Sequence, residues 1–275
     1  MIGHFLIDGE LPKEGLDWSS RLFKYGDGFF ETMRFFGGRI QHAYLHQQRC
    51  LQSQKLLKMP DPEVSFETLE QTIAKYCMMK GISSARIRLG FYREADGFYR
   101  PKNPITRSIC EIYELDYEGY PFNTEGLILG SFKELTKNSN YTSLLKTTSA
   151  LIYVMAGLHA KETDVDDVII FNDSGRVCES MSSNLFAVIG DFIITPPLDE
   201  FCVDGIMRKI VLQLARDYGY EVAERPLSEI DLNGADEIFL TNAAYGIQWV
   251  GNFQGKNYRN VVSRVLSGKL VDGSW

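Results

Sequence analysis

The chain has 275 residues, 44% of them hydrophobic and 24% charged, with a formal net charge of −7. That length suits one large or two medium domains with a proper core. An acidic chain without a basic stripe argues against nucleic acid or an anionic membrane surface as a partner. Cys50, Cys77, Cys110, Cys178 and Cys202 are odd in number, widely spaced and lack a CxxC pair, which speaks against a disulfide framework and a zinc site. The first residues lack a basic region followed by a long apolar run, and no apolar stretch is long enough to cross a bilayer, so a reducing cytoplasm is the expected home.

In chain order, HFLIDGELP predicts a short strand entering a turn at Asp8-Gly9. Residues 25–43 are aromatic-rich and β-prone, with a hairpin expected at Gly37-Gly38. Residues 44–58 switch to helical spacing, with Leu45, Cys50, Leu51, Leu56 and Leu57 recurring at threes and fours until Met59-Pro60 stops the run. A second helix is expected over 64–80, closed by Gly81, then strands over 85–93 and 108–116. Residues 117–126 have no periodicity and many turn formers, and the linker is placed at 118–126, between domains at 1–117 and 127–275. Beyond it come a strand at 127–132, a polar loop and a helix-like apolar run from Ala150 to Leu158. Hairpins are expected at Asp173–Gly175 and at Gly190-Asp191, an amphipathic helix at 207–219, one strand over 236–250 and a last helix over 260–271. Strands joined largely by hairpins favour mixed α+β domains over a doubly wound parallel sheet.

Lys146 stands out. It follows two leucines and is read as the head of the helical run, where the helix dipole and apolar neighbours both disfavour an ammonium. A neutral amine is what carbonyl chemistry needs, although a lysine stem that packs while its head reaches water would look the same from this window. His42 and His46 have a spacing that could hold a metal on one helix face, but without an acidic ligand nearby in sequence no metal role is assigned.

From Glu179 onward the pattern becomes specific. E-S-M-S-S-N-L-F at 179–186, I-I-T at 193–195 and V-D-G-I-M-R at 203–208 stand in order with Y-G-D-G-F-F-E-T at 25–32, H-Q-Q-R-C-L at 46–51, Lys146 and L-T-N-A-A at 240–244. Together they resemble the class IV aminotransferase family of pyridoxal-phosphate enzymes, the fold-type IV group, over essentially the whole chain. The resemblance implies a smaller N-terminal α/β sandwich-like domain, a larger C-terminal domain of pseudo-barrel character, pyridoxal 5'-phosphate between them, and a homodimer.

Residue by residue, Lys146 matches the family's Schiff-base lysine and Glu179 the partner of the cofactor's ring nitrogen. Arg49 matches the phosphate arginine, and Ile206 and Met207 the phosphate-binding turn, where backbone N–H groups open a helix. Asn184 is read as shaping the loop that holds Glu179. Met207 replaces a usual hydroxyl residue, and threonine is common near Ala243, so a lighter phosphate cup is expected. Met181 and Ser149 also depart from the family's usual residues.

Phe30, Leu151, Asn242, Ala243 and Arg93 are expected to line the substrate pocket for an amino acid or an amino-dicarboxylate. Leu151 stands where branched-chain aminotransferases carry tyrosine, and Phe30 where the D-amino-acid branch does. Thr241-Asn242 points to the aminodeoxychorismate lyase branch, whose loop arginine is missing here unless Arg93 or Arg100 substitutes. Expectation therefore divides between an aminotransferase and a lyase giving 4-aminobenzoate and pyruvate. Intact Lys146, Glu179 and Arg49 weigh against a homologue that has lost catalysis.

Overall fold

A computed structural model describes residues 3–11 and 19–272. The chain divides into two compact units: the first runs to Gly119 and takes back Leu145–Ser149, and the second comprises Tyr120–Leu144 and Ala150 onward. Pro12, at the end of the opening strand-and-turn motif, lies outside the described residues.

The first unit is built on an antiparallel five-stranded sheet with order β1-β5-β4-β2-β3, formed by β1 (Gly3–Ile7), β2 (Gly28–Phe36), β3 (Arg39–Ile40), β4 (Ser84–Asp96) and β5 (Lys102–Glu114). Three helices accompany it: α1 (Arg21–Tyr25), α2 (Ala43–Leu56) and α3 (Phe66–Met79). The period of two in A-R-I-R-L-G-F-Y sends Ala85, Ile87, Leu89 and Phe91 into the core with Phe29, Met33 and Phe35 of β2 and Leu69, Ile73 and Cys77 of α3. Arg86, Arg88, Gly90 and Tyr92 therefore share the opposite face with Phe30, Thr32 and Arg34.

Because β3 pairs only with Phe35 and Phe36, the first half of β2 keeps an open edge. Residues 146–148 cover it: Phe30 N donates to the Lys146 carbonyl, Thr148 N donates to the Gly28 carbonyl, and Phe29 bridges Thr147. This corrects the expected head-of-helix position of Lys146. The helix α4 (Leu151–Glu162) begins five residues later with Ala150 as its cap, so the helix dipole is not what acts on this lysine. The β-prone Thr147-Thr148 gains a ladder on β2 that a helical turn would forfeit.

The second unit carries a mixed sheet with order β11-β10-β9-β12-β13-β6-β7-β8, with β14 on β13. Its strands are β6 (Leu127–Lys137), β7 (Asp167–Asn172), β8 (Val177–Ser180), β9 (Asn184–Ile189), β10 (Phe192–Thr195), β11 (Glu221–Glu224), β12 (Glu237–Asn242), β13 (Gly246–Phe253) and β14 (Lys256–Asn257). Helices α4, α5 (Ile206–Asp217), α6 (Glu229–Gly234) and α7 (Val261–Asp272) complete the unit. The sheet curls, so that Ser180 N at the end of β8 bonds the Ser183 carbonyl just before β9. Two mixed α+β units with curled sheets agree with the fold class read from the sequence.

Three local expectations are corrected. The strand expected over 127–132 runs on to Lys137, with a register break between Phe132 and Lys137. The single strand over 236–250 is a hairpin, because Asn242 Oδ1 accepts Ala244 N and Tyr245 N, and Gly246 at φ 75° completes the reversal. In the stretch read as a linker, Asn123 bonds the Trp249 backbone and indole N–H, and Gly126 passes so close to Gly251 that a Cβ would lie 2.3 Å from its Cα.

Candidate active site

In the first unit, Lys146 is held by its backbone on the β2 edge with Nζ 4.7 Å from the centre of the Phe30 ring. The Arg88 guanidinium lies 3.6 Å from the same ring centre. Phe30 and Arg88 line a cavity of about 210 Å³ with Leu22, Gly90, Glu111 and Thr148. Arg88 donates no hydrogen bond to any described residue. Burial lowers its pKa and the Glu111 charge opposes that, so the planar donor fork is charged and available to an anion.

Arg93, the arginine expected to meet substrate, is engaged elsewhere. Its Nε donates to Asp27, and its two terminal nitrogens donate to the Lys58 and Leu57 carbonyls at 2.9 and 2.7 Å. Strand alternation explains the difference: Arg88 shares the Phe30 face, whereas Arg93 lies five residues on and points to the other side.

On the core face below, Glu31 of β2 meets α2. Arg49 Nε donates to Glu31 Oε1 at 2.8 Å and Arg49 Nη2 to Oε2 at 2.5 Å, and His46 Nδ1 lies 2.5 Å from Oε2. Burial alone would raise the Glu31 pKa, but the Arg49 charge and the bonds from His46 and Arg49 outweigh it and bring it down to about 2. Burial lowers the His46 pKa, so a neutral ring must carry its proton on Nδ1 to face a carboxylate. The acidic neighbour of His46 is thus a hydrogen-bond partner that is ion-paired to Arg49, and no metal-holding cluster exists among the described residues.

The second unit holds Glu179, 3% exposed, at the end of β8. Lys137 Nζ donates to its Oε1, Tyr153 Oη donates to Oε1 at 2.7 Å, and Val203 N donates to Oε2 at 2.7 Å. Burial would lower the Lys137 pKa, but the Glu179 charge outweighs it and raises it well above the usual lysine value. Burial and then the Glu179 charge push the Tyr153 phenol up. Lys137 is therefore a fixed ammonium and Tyr153 a fixed donor, which leaves Lys137 unsuited to carbonyl attack.

Asp167 ties down the 180–183 loop beside Glu179, accepting from Ser180 Oγ, Ser182 Oγ and Met181 N. Burial pushes its pKa up to about 6, against those hydrogen bonds. Asn184 Nδ2 donates to the Val203 carbonyl at 2.8 Å, and so steadies the turn whose N–H reaches Glu179.

The same asparagine explains Gly205, the cap of α5. A Cβ there would sit 1.9 Å from Asn184 Oδ1. The helix opens at Ile206, one residue earlier than expected, so the N–H groups of Ile206 and Met207 belong to its first turn and have no intrahelical acceptor. Thr241, paired with Asn184 across the strands, is fully buried with no partner for Oγ1. Asn242 uses Nδ2 on Ser183 Oγ at 2.8 Å and Oδ1 on the hairpin turn that contains Ala243. Leu151 is the first residue of α4 and 69% exposed.

Three residues escaped the sequence reading. Arg88 was legible in the alternation of β4, whereas Lys137 was hidden because β6 was expected to stop at 132, and Tyr153 because its partner Glu179 lies 26 residues away.

Taken unit by unit, these donors and acceptors have the chemistry that pyridoxal phosphate needs. Each carboxylate oxygen offers two acceptor positions; three of the four on Glu179 are filled, leaving one on Oε2. A helix N-terminus with unpaired N–H groups and an orphaned buried hydroxyl suit a phosphate. Lys146 supplies an amine on a backbone locked by a ladder.

The sequence matches the amino-transferase class IV family model over residues 28–253. It is 28% identical to the aminodeoxychorismate lyase of Bacillus subtilis, covering 86% of this chain and 80% of the relative. It is 26% identical to the branched-chain-amino-acid aminotransferase of Salmonella typhimurium, covering 86% and 79%. The branched-chain aminotransferase of Thermoproteus uzoniensis, solved with norvaline, superposes with a TM-score of 0.86 at 22% identity, covering 97% of this chain and 92% of that one. With a motif set that spans both units and a family match over most of its length, the chain belongs to the class IV amino-transferases.

Proposed function

We propose that the protein is a pyridoxal-phosphate-dependent aminotransferase that acts on an amino acid through Lys146. The cofactor, when bound, supplies an electron sink for the carbanion left when the α-proton departs. Lys146 Nζ takes and returns that proton. Glu179 would hold the ring nitrogen N–H, with the acceptor position left on Oε2. Arg49, fixed by Glu31, would offer the phosphate its charge, and the first turn of α5 its backbone N–H groups. Arg88 binds a substrate carboxylate with the donors it gives to no described residue, and Phe30 supplies the apolar wall over which it is stacked.

The observation that carries the choice of aminotransferase over lyase is the state of Asn242. The lyase reading needs donors from its side chain for the substrate carboxylate, but Oδ1 is held by the hairpin turn and one of the two Nδ2 N–H groups is on Ser183, which leaves a single N–H. Arg88, whose fork donates to no described residue, is the stronger carboxylate donor.

The test supplies two substrates separately: an amino acid with 2-oxoglutarate, and aminodeoxychorismate. The proposal expects a new amino acid and a transient pyridoxamine form from the first pair. Arg88→Gln should raise KM for 2-oxoglutarate by about tenfold or more, the loss of a charged hydrogen bond, with the visible absorption of the loaded protein unchanged. Pyruvate and 4-aminobenzoate from the second substrate, with no amino transfer from the first, would replace the proposal with the lyase.

A further inference from the structure

Lys137 has no part in the chemistry described so far, yet it is one of the most buried cations among the described residues, 5% exposed. The register break after Phe132 turns it inward after four exposed residues, 133–136, and sets it opposite Asn172. A break of this kind commonly re-aims a side chain. Such a pair is a poor device for stability alone, since buried ion pairs can often be replaced by apolar residues at little or no cost. Its geometry is directional: Lys137 and Tyr153 both act on Oε1, and only the Val203 N–H is on Oε2. Tyr153 is fixed in turn by α4, and Lys137 lies over its ring with Nζ 5.5 Å from the centre.

We propose that Lys137 and Tyr153 are positioning residues: they saturate Oε1 and direct the cofactor's ring N–H to Oε2. The inference rests on the reading of Glu179 as the ring-nitrogen partner. Without the ammonium, Oε1 loses its charged donor and the carboxylate is no longer held with Oε2 toward the ring nitrogen, which weakens the bond that keeps the proton there. The ring would then be a weaker electron sink, although Lys146 and the phosphate groups were untouched.

The experiment loads wild type, Lys137→Met, Lys137→Arg, Tyr153→Phe and Glu179→Gln with pyridoxal phosphate carrying ¹⁵N in its ring. The ring-nitrogen resonance is read by NMR, Cα-proton exchange of a bound amino acid is timed, and circular dichroism checks the fold. Lys137→Met should move the resonance toward that of unprotonated pyridine and slow exchange about tenfold, one unit of proton affinity. Tyr153→Phe should shift it less in the same direction, and Lys137→Arg should stay near wild type. An unmoved resonance in both Lys137→Met and Tyr153→Phe, while Glu179→Gln moves it, overturns the positioning role and leaves the functional reading standing. If Lys137→Met does not fold, Tyr153→Phe decides alone by the same criterion. A wild type that binds no cofactor, or a Glu179→Gln resonance that stays put, overturns both.

Discussion

Glu31→Gln is the sharpest perturbation of the first unit. Both Glu31 oxygens are engaged, Oε1 by Arg49 Nε and Oε2 by Arg49 Nη2 and His46 Nδ1, in a place 1% exposed. Its pKa falls from 4.5 to about 2 on folding, which corresponds to about 3 kcal/mol of stability at neutral pH. The folded value lies below the unfolded one, so this contribution is complete above about pH 5 and disappears as pH falls toward 2. Burial-lowered His46 acts in the same direction: unfolded, it gains a proton near its ordinary value while the folded ring does not, so stability also drops as pH falls below that value. Replacing the carboxylate by an amide leaves Arg49 buried without its counter-charge, at a cost of about 3–5 kcal/mol. Urea unfolding followed by circular dichroism at pH 7, and again at steps down to pH 3, gives both quantities. The variant should lose that stability at pH 7 and show a flatter acid limb than wild type. A variant within about 0.5 kcal/mol of wild type at pH 7, the ordinary effect of a surface change, would refute the reasoning.

Gly205→Ala places a Cβ 1.9 Å from Asn184 Oδ1, so Asn184 must release the Val203 carbonyl and the first turn of α5 must shift. Pyridoxal phosphate affinity should fall about tenfold or more in a fluorescence titration, the loss of one charged hydrogen bond, whereas wild-type affinity would contradict the account. Asp167 should titrate near pH 6 by ¹³C NMR. Its folded pKa lies above the unfolded value, so its contribution to stability declines as pH rises from 4 to 6, the opposite sign to Glu31. A titration at the ordinary aspartate value would show that the 180–183 loop is wetter than the structure has it.

The elements and most boundaries were legible because period and punctuation were strong: the alternation of 85–91, the glycines at hairpins, the amphipathic 207–219. Lys146 was misplaced for a physical reason. An apolar run just after it looks like a helix that it should head, but the short β3 leaves an edge of β2 open, and that pairing is invisible to local pattern. Lys137 was missed because the mostly polar stretch Lys133-Glu134-Leu135-Thr136 before it read as a loop, although the strand continues through it. The resemblance named Glu179, Asn184 and Arg49, yet it could not say what holds each in place. Arg93 was plausible by type, but which partners a polar group already has depends on its neighbours, and those come from 35 and more residues away.

The central claim is that Lys146 is the amine that holds the cofactor. Purified protein titrated with pyridoxal phosphate should develop the visible absorption of a lysine-bound form, and borohydride reduction followed by peptide mass spectrometry should find the label on Lys146. Lys146→Ala should remain folded and show neither. A label on Lys137 or on any other lysine, or a wild type that stays colourless with cofactor in excess, would contradict it.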